Sequence, residues 1–313
     1  MSSLTKALTE YLELRRRLGF RMRHAARTLP KFVDFIEQNG RSHITTELAL
    51  RWALSTPGAS PVMQADRLTM VRGFAAWRSA ADPRTEIPPL GLLCRRYRRP
   101  NPYIYSPAEV KRILTTAATL SSQRGLRGPT CLTLFGLLAV TGMRLSEATS
   151  LDSDDVDLEG GVIAIRRGKS AKARFVPIHA TTRDALESYS RKRDRVFPRP
   201  GTPAFFISEH GRRVSGWCAE HNFAEVSRRI GLRPKTGGRF GRGPRLHDMR
   251  HRFAVATLIR WYRSGADVAR EIAKLATYLG HSRIIDLYWY LQAVPELLGL
   301  AAKRSYRVAK DGA

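Results

Sequence analysis

Five prolines, Pro83, Pro88, Pro89, Pro100 and Pro102, fall within residues 82–104. Proline lacks an amide donor and restrains the residue before it, so neither helix nor strand can run through this stretch. The chain must therefore fold as two units joined there. At 313 residues it is long enough for both to have a core, and a hydrophobic content of 43% supplies one.

The first unit reads as all-helical over residues 1–81. Leu4, Leu8, Leu12, Leu14 and Leu18 recur at roughly helical spacing, beside the run Arg15, Arg16, Arg17. A second helix is expected over 25–39, with Leu29, Phe32, Val33 and Ile36 inward and Gly40 as its stop. Thr45 or Thr46 can cap a third, through Leu54. A fourth should cover 63–80, with Leu68, Val71, Phe74 and Trp77 on one face.

The second unit, 105–313, mixes periods. Ser106-Pro107-Ala108-Glu109 has the form of a capped helix start, with proline first and an acid at the third position. Residues 131–140 (CLTLFGLLAV) predict a buried helix that stops at Thr141-Gly142. Residues 162–165 and 173–178 read as two short strands joined by 166–172. Helices should follow at 182–193, 217–230 and through most of 246–291. The class is mainly α with a small β-sheet.

Charge narrows the partner. Lysine and arginine number 54 against 27 acids, for a net charge of +27. The surplus is +10 over residues 1–104 and +17 over 105–313, so both units should meet the same polyanion. Arg95, Arg96, Arg98 and Arg99 surround Tyr97 in the proline-rich stretch, which reads as a linker along a phosphate backbone. A membrane surface would need an amphipathic basic anchor or a lipidation signal, and neither pattern occurs. Cys94, Cys131 and Cys218 are scattered, with no CxxC pair, which argues against a zinc or disulfide framework. The leading residues carry no apolar signal core and no run suits a membrane span; a cytoplasmic address is expected.

Four stretches carry chemistry. Thr141–Glu147 (TGMRLSE) puts Arg144 at the edge of the core, where a guanidinium needs a partner, and Glu147 is placed to orient it. Gly168–Lys172 (GKSAK) holds Lys169 and Lys172 at a hairpin tip. His247-x-x-Arg250 opens a helix with both side chains on one face, near Arg245, His251 and Arg252. The helix N-terminus there favours an anion. Last come Leu279-Gly280-His281 and the aromatics Tyr288, Trp289 and Tyr290. Two residues along a helix is about 200°, so Tyr288 and Tyr290 cannot share a pocket; Tyr288 is expected to pack elsewhere. Taken singly, an ion pair, a turn lysine and surface aromatics explain each as well.

In this order the motifs TGMRLSE, GKSAKARFVPI, LHDMRHRFA, YLGHS and YWYL resemble those of the tyrosine recombinases, or phage integrase family. The likeness is good over 105–291, and the preceding helical unit resembles the family's core-binding domain less closely. The resemblance implies a C-shaped clamp on double-stranded DNA and a catalytic set of Arg144, Lys169, His247, Arg250, His281 and Tyr290, with Glu147 in support. Arg95, Arg96, Arg98, Arg99, Lys172 and Arg245 are the expected DNA contacts. Leu291-Gln292-Ala293 departs from the commoner Tyr-Thr-His after the nucleophile, which leaves Tyr288 as the minor candidate.

The implied function is site-specific breakage and rejoining of DNA through a 3′-phosphotyrosyl intermediate, in integration, excision or transposition of a mobile element. Tyr290 would attack, His247 would take its proton, Arg144 and Arg250 would hold the phosphate and Lys169 would protonate the leaving 5′ oxygen. No carboxylate cluster or Walker pattern calls for a metal or ATP, so no cofactor is expected. The resemblance also implies a homo- or hetero-tetramer at synapsis, with the helix from Pro295 docking on a neighbour, and a nucleoid-associated bacterial protein. Alternatives in the same frame are a type IB-like topoisomerase or a catalytically silent accessory recombinase.

Overall fold

A computed structural model of the protein describes residues 3–93, 101–166, 173–234, 243–281 and 283–311. The chain divides into two compact units, Met1–Pro100 and Asn101–Ala313. Among the described residues no helix is long and apolar enough to cross a membrane.

The first unit contains α1 (Ser3–Arg17), α2 (Ala25–Gln38), α3 (Thr46–Leu54) and α4 (Pro61–Arg78). Hydroxyl caps set two of the starts. Thr45 Oγ1 accepts from the Leu48 N–H, and Ser60 Oγ from the Met63 N–H with Pro61 at the first helical position. Leu4, Leu8, Leu29, Phe32, Ile36, Leu68, Val71 and Phe74 form its core. The Arg67 guanidinium stacks 3.9 Å from the Trp52 ring centre. The proline-rich stretch begins as part of this unit. Arg72 donates to the Pro88 and Pro89 carbonyls at 2.7 Å each, and Glu86 bonds the backbone of Ile44 and Thr46. Arg95, Arg96, Arg98 and Arg99 lie outside the described residues.

The second unit starts with α5 (Pro107–Ala118), closed by the reciprocal Ser106–Glu109 capping box. The buried apolar run forms α6 (Arg127–Thr141), and α7 (Leu145–Ala148) is a single turn after it. Three antiparallel strands follow in the order β1 (Val156–Asp157), β2 (Val162–Ile165) and β3 (Arg174–Pro177), with Ile163 opposite Val176. The two-residue β1 is too short to leave a period. The chain continues as α8 (Ala180–Val196), α9 (Gly216–Arg229), α10 (His247–Arg263), α11 (Val268–Leu279), α12 (Ile285–Ala293) and α13 (Pro295–Asp311).

Two apolar clusters stabilise this unit. One joins α5, α6, α8, α9 and the sheet through Ile113, Leu134, Phe135, Ile163, Val176, Leu186 and Phe223. The other packs Val255, Leu258, Ile272, Leu275, Leu279, Leu287, Tyr290 and Leu297, which fastens α10 to α13 together. The terminal helix α13 lies on α10 and α12 of its own chain, with Leu297 buried and Glu296 paired to Arg263 at 2.7 Å. Leu298 of the same helix is exposed.

Candidate active site

The site is built around the C-terminal end of α11. A helix leaves its last carbonyls without intrahelical donors, and its dipole makes that end favourable for cations. Here three consecutive carbonyls each receive a guanidinium. Arg174 Nε donates to Tyr278 O at 2.8 Å, Arg250 Nη2 to Leu279 O at 2.8 Å and Arg144 Nη2 to Gly280 O at 2.8 Å. Gly280 closes the helix in the left-handed region, φ 67°. A Cβ there would lie 2.7 Å from Arg174 Nη1 and 3.3 Å from Arg144 Nη1. Gly280→Ala should therefore lower the melting temperature, since the left-handed backbone alone costs about 1 kcal/mol. It should also slow DNA cleavage more than tenfold by displacing two arginines. A thermal melt and a cleavage assay on the same sample check both.

Glu147 holds two of these arginines. It is 3% exposed. Oε1 accepts from Arg144 Nη1 at 2.8 Å and Arg174 Nη1 at 3.1 Å; Oε2 accepts from the Arg144 N–H at 2.9 Å and Arg174 Nη2 at 2.7 Å. Burial pushes its carboxyl pKa up, but the Arg174 and Arg144 donors outweigh that and leave it below the ordinary value. Arg144 is placed by the turn before α7, where Gly142 ends α6 at φ 61°.

Arg250 is 3% exposed and donates through Nη1 to Gly142 O at 2.9 Å, so it ties the end of α6 to the end of α11. Burial, then the Arg144 charge, pushes its pKa down to about 10, which still leaves it a cation at pH 7. His247 begins α10. Its side chain is exposed, but partial desolvation, then the charges of Arg250, Arg245 and Arg144 against the opposing Asp248, pushes its pKa down to about 4. It makes no hydrogen bond among the described residues. Arg245 bonds Asp248 through both its backbone and side chain, with its own side chain largely exposed.

Tyr290 is 1% exposed and belongs to the second apolar cluster. Its hydroxyl meets His251 Nδ1 at 2.6 Å. Tyr288, on the opposite side of α12, is 43% exposed; the expectation that it packs against the protein is not met, because that face of α12 looks outward. His281 directly follows the Gly280 stop, half-buried, its N–H bonded to Ala276 O at 2.8 Å.

The structure thus brings together Arg144, Glu147, His247, Arg250, His281 and Tyr290. Lys169 and Lys172 lie outside the described residues. Two members were not singled out from sequence. Arg174 stands at the start of β3, where strand alternation gives no sign that a cation turns inward. His251 is one turn beyond His247, a spacing that does place both on one helix face.

Residues 105–296 match the phage integrase family. A Sinorhizobium fredii protein named integrase/recombinase y4rB is 44% identical over 99% of this chain and 99% of its own. The tyrosine recombinase XerC of Herpetosiphon aurantiacus is 31% identical over 88% of this chain and 85% of its own. Among solved structures, the Tn1549 transposon integrase in complex with transposon right end DNA shares the fold, with a TM-score of 0.64 at 16% identity over 97% of this chain and 99% of that one. With a match that takes in the whole arginine-lined site, the chain belongs to the phage integrase family of tyrosine recombinases.

Proposed function

We propose that this chain breaks and rejoins DNA strands at specific sites, with Tyr290 as nucleophile, in the movement of a genetic element. The observation that carries the reading is the cluster of Arg144, Arg174 and Arg250 on three successive carbonyls at the end of α11, with the enclosed Tyr290 hydroxyl bonded to His251, the residue next to Arg250 on α10. Fixed cations in a desolvated pocket stabilise the charge that builds on a phosphate under attack, and their orientation is set before the substrate arrives. Tyr290 attacks phosphorus, a 3′-phosphotyrosyl bond forms and a 5′-hydroxyl leaves. Arg144 and Arg250 hold the non-bridging oxygens. His247, neutral at pH 7, and His281 complete the contacts to phosphate, and Lys169 protonates the departing oxygen.

Both units supply DNA-binding charge, with Arg95, Arg96, Arg98, Arg99, Lys172 and Arg245 as backbone contacts. The fold is shared with a lambda integrase tetramer bound to a Holliday junction, which supports assembly in fours at synapsis. Nicked duplexes built on DNA flanking the gene test the activity. The wild-type chain should accumulate a covalent adduct as the short fragment on the 3′ side of the cut, with its free 5′-hydroxyl, diffuses away. No adduct on any such duplex would refute the reading.

Two further outcomes are expected. Lys169→Ala should lose cleavage by about 10²–10⁴-fold on ordinary DNA, the usual worth of a general acid, and recover it on a 5′-bridging phosphorothiolate, whose sulfur leaves without a proton. The pH behaviour of His247 has a definite sign. Its folded pKa is depressed to about 4 from 6.5. Its contribution to stability is therefore complete above pH 6.5 and is lost as pH falls from there towards 4. Thermal melts of wild type and His247→Gln should converge, or cross, between pH 7 and pH 5; a gap that widens on acidification would contradict this placement.

A further inference from the structure

We propose that His251, not His247, is the base that accepts the Tyr290 proton, and that Asp248 supports it. The inference rests on the reading of Tyr290 as nucleophile. A general base must first be within hydrogen-bond reach of the proton it takes. His251 Nδ1 lies 2.6 Å from the Tyr290 hydroxyl. Tyr290 is almost wholly enclosed, so bulk water is not at hand to serve instead.

The groups around His251 form a polarised chain. Asp248 Oδ1 stands 3.8 Å from Nε2, one turn back on α10. That carboxylate favours the tautomer with its proton on Nε2, which leaves Nδ1 to accept from the phenol. It would also stabilise the imidazolium that forms. Nucleophile, imidazole and carboxylate stand in the order by which hydrolases activate a hydroxyl, although at 3.8 Å Asp248 acts on His251 through its charge and not through a hydrogen bond. His247 packs edge-on against His251 with ring centres 4.8 Å apart, and Trp289 and Tyr290 of α12 cover it from the other side. Arg245 engages Asp248, and Glu296 of α13 is taken up by Arg263 further along α10. His247 itself, with a pKa near 4, is a poor acceptor for a phenol that ionises near 10.

The step balances. The phenolic proton moves to His251 Nδ1, the tyrosine oxygen bonds phosphorus, and the bond from phosphorus to the 5′ oxygen breaks as that oxygen takes a proton from the general acid. Rejoining runs the same path backwards, and Nδ1 returns its proton to the tyrosine. His247 is then left to bind phosphate.

The test is single-turnover adduct formation by the full chain on a nicked duplex from pH 6 to pH 9.5, with DNA affinity measured in parallel. His251→Phe keeps the ring packing and removes the acceptor. Its affinity should stay within about threefold of wild type, while its rate at pH 7 should fall about 10²-fold or more. The deficit should shrink as pH rises towards the phenol's own pKa, because a growing share of Tyr290 is then ionised before it attacks and needs no base. Replacing Tyr290 by 3,5-difluorotyrosine, a more acidic phenol, should restore much of the rate in His251→Phe. A His251→Phe rate within threefold of wild type, or a deficit of one size at every pH, would overturn the assignment. Should that variant fail to fold, difluorotyrosine in the otherwise unaltered chain decides. It should flatten the pH dependence below pH 7, and an unchanged profile would overturn the assignment equally. A wild-type chain that forms no adduct would instead overturn the reading of Tyr290, and this one with it.

Discussion

Tyr290→Phe should bind DNA as well as wild type and form no covalent adduct, whereas Tyr288→Phe should form it at close to the wild-type rate. The two positions stand on opposite sides of α12. Tyr288 is partly exposed, and Tyr290 is enclosed and bonded to His251. Loss of the Tyr290 hydroxyl removes one buried hydrogen bond, worth about 1 kcal/mol, so the variant should fold and the comparison should be clean. The effect on cleavage should be total, because phenylalanine leaves α12 without the enclosed hydroxyl that His251 engages. Adduct yield on a denaturing gel, with affinity measured on the same duplex, reads the outcome. An adduct that survives in Tyr290→Phe and vanishes in Tyr288→Phe would invert the assignment.

Glu147→Gln has the second largest expected effect, and it acts on stability and rate together. One carboxylate accepts four donors from Arg144 and Arg174. An amide of the same shape keeps one acceptor oxygen and turns an NH2 group towards guanidinium donors. Breaking a buried ion pair by removing one partner costs about 3–5 kcal/mol, because the remaining charge stays buried and uncompensated. Here two cations lose their counter-charge, with Arg250 close by as a third. We expect a melting temperature lower by ten degrees or more. Cleavage of what remains folded should fall at least about 10²-fold, the usual loss for one misplaced donor to a developing oxyanion. The same linkage runs through pH. The Glu147 carboxyl is held below its ordinary value, so its stabilisation is present above about pH 4.5 and is lost as pH falls below that. Glu147→Gln should erase that part of the acid sensitivity. Calorimetry of both proteins at pH 7 and pH 4 checks the sign.

Much of this site was legible in the sequence because its parts sit at helix ends, where residue types are restrictive. Gly142 and Gly280 stop α6 and α11 in the left-handed region, and the residues that follow them, Arg144 and His281, are functional candidates through the likeness of TGMRLSE and YLGHS to the family's motifs. The spacing from His247 to Arg250 places two polar groups on the first turn of α10. Helical geometry alone separated Tyr288 from Tyr290. What it left open was which of their faces is covered, since α12 is apolar on most sides and only packing on α10, α11 and α13 decides.

Arg174 shows the limit more sharply. Along the sequence it is one basic residue among many in a strongly cationic chain. Its importance comes from meeting Glu147 and the Tyr278 carbonyl, 27 and 104 residues away in sequence. His251 was visible as a neighbour of Arg250, but its partner is 39 residues further on. In the first unit, the prolines at 83, 88 and 89 rightly exclude helix and strand. They do not make that stretch a free connector, because the Arg72 guanidinium binds the carbonyls that proline leaves available.

The most direct test of the whole scheme is to map the covalent bond itself. Wild-type protein is trapped on a nicked duplex, digested with nuclease and protease, and the nucleotide-bearing peptide is sequenced by mass spectrometry. The expected result is a 3′-linked nucleotide on Tyr290. A nucleotide on Tyr288, on any other side chain, or linked through its 5′ phosphate would contradict it.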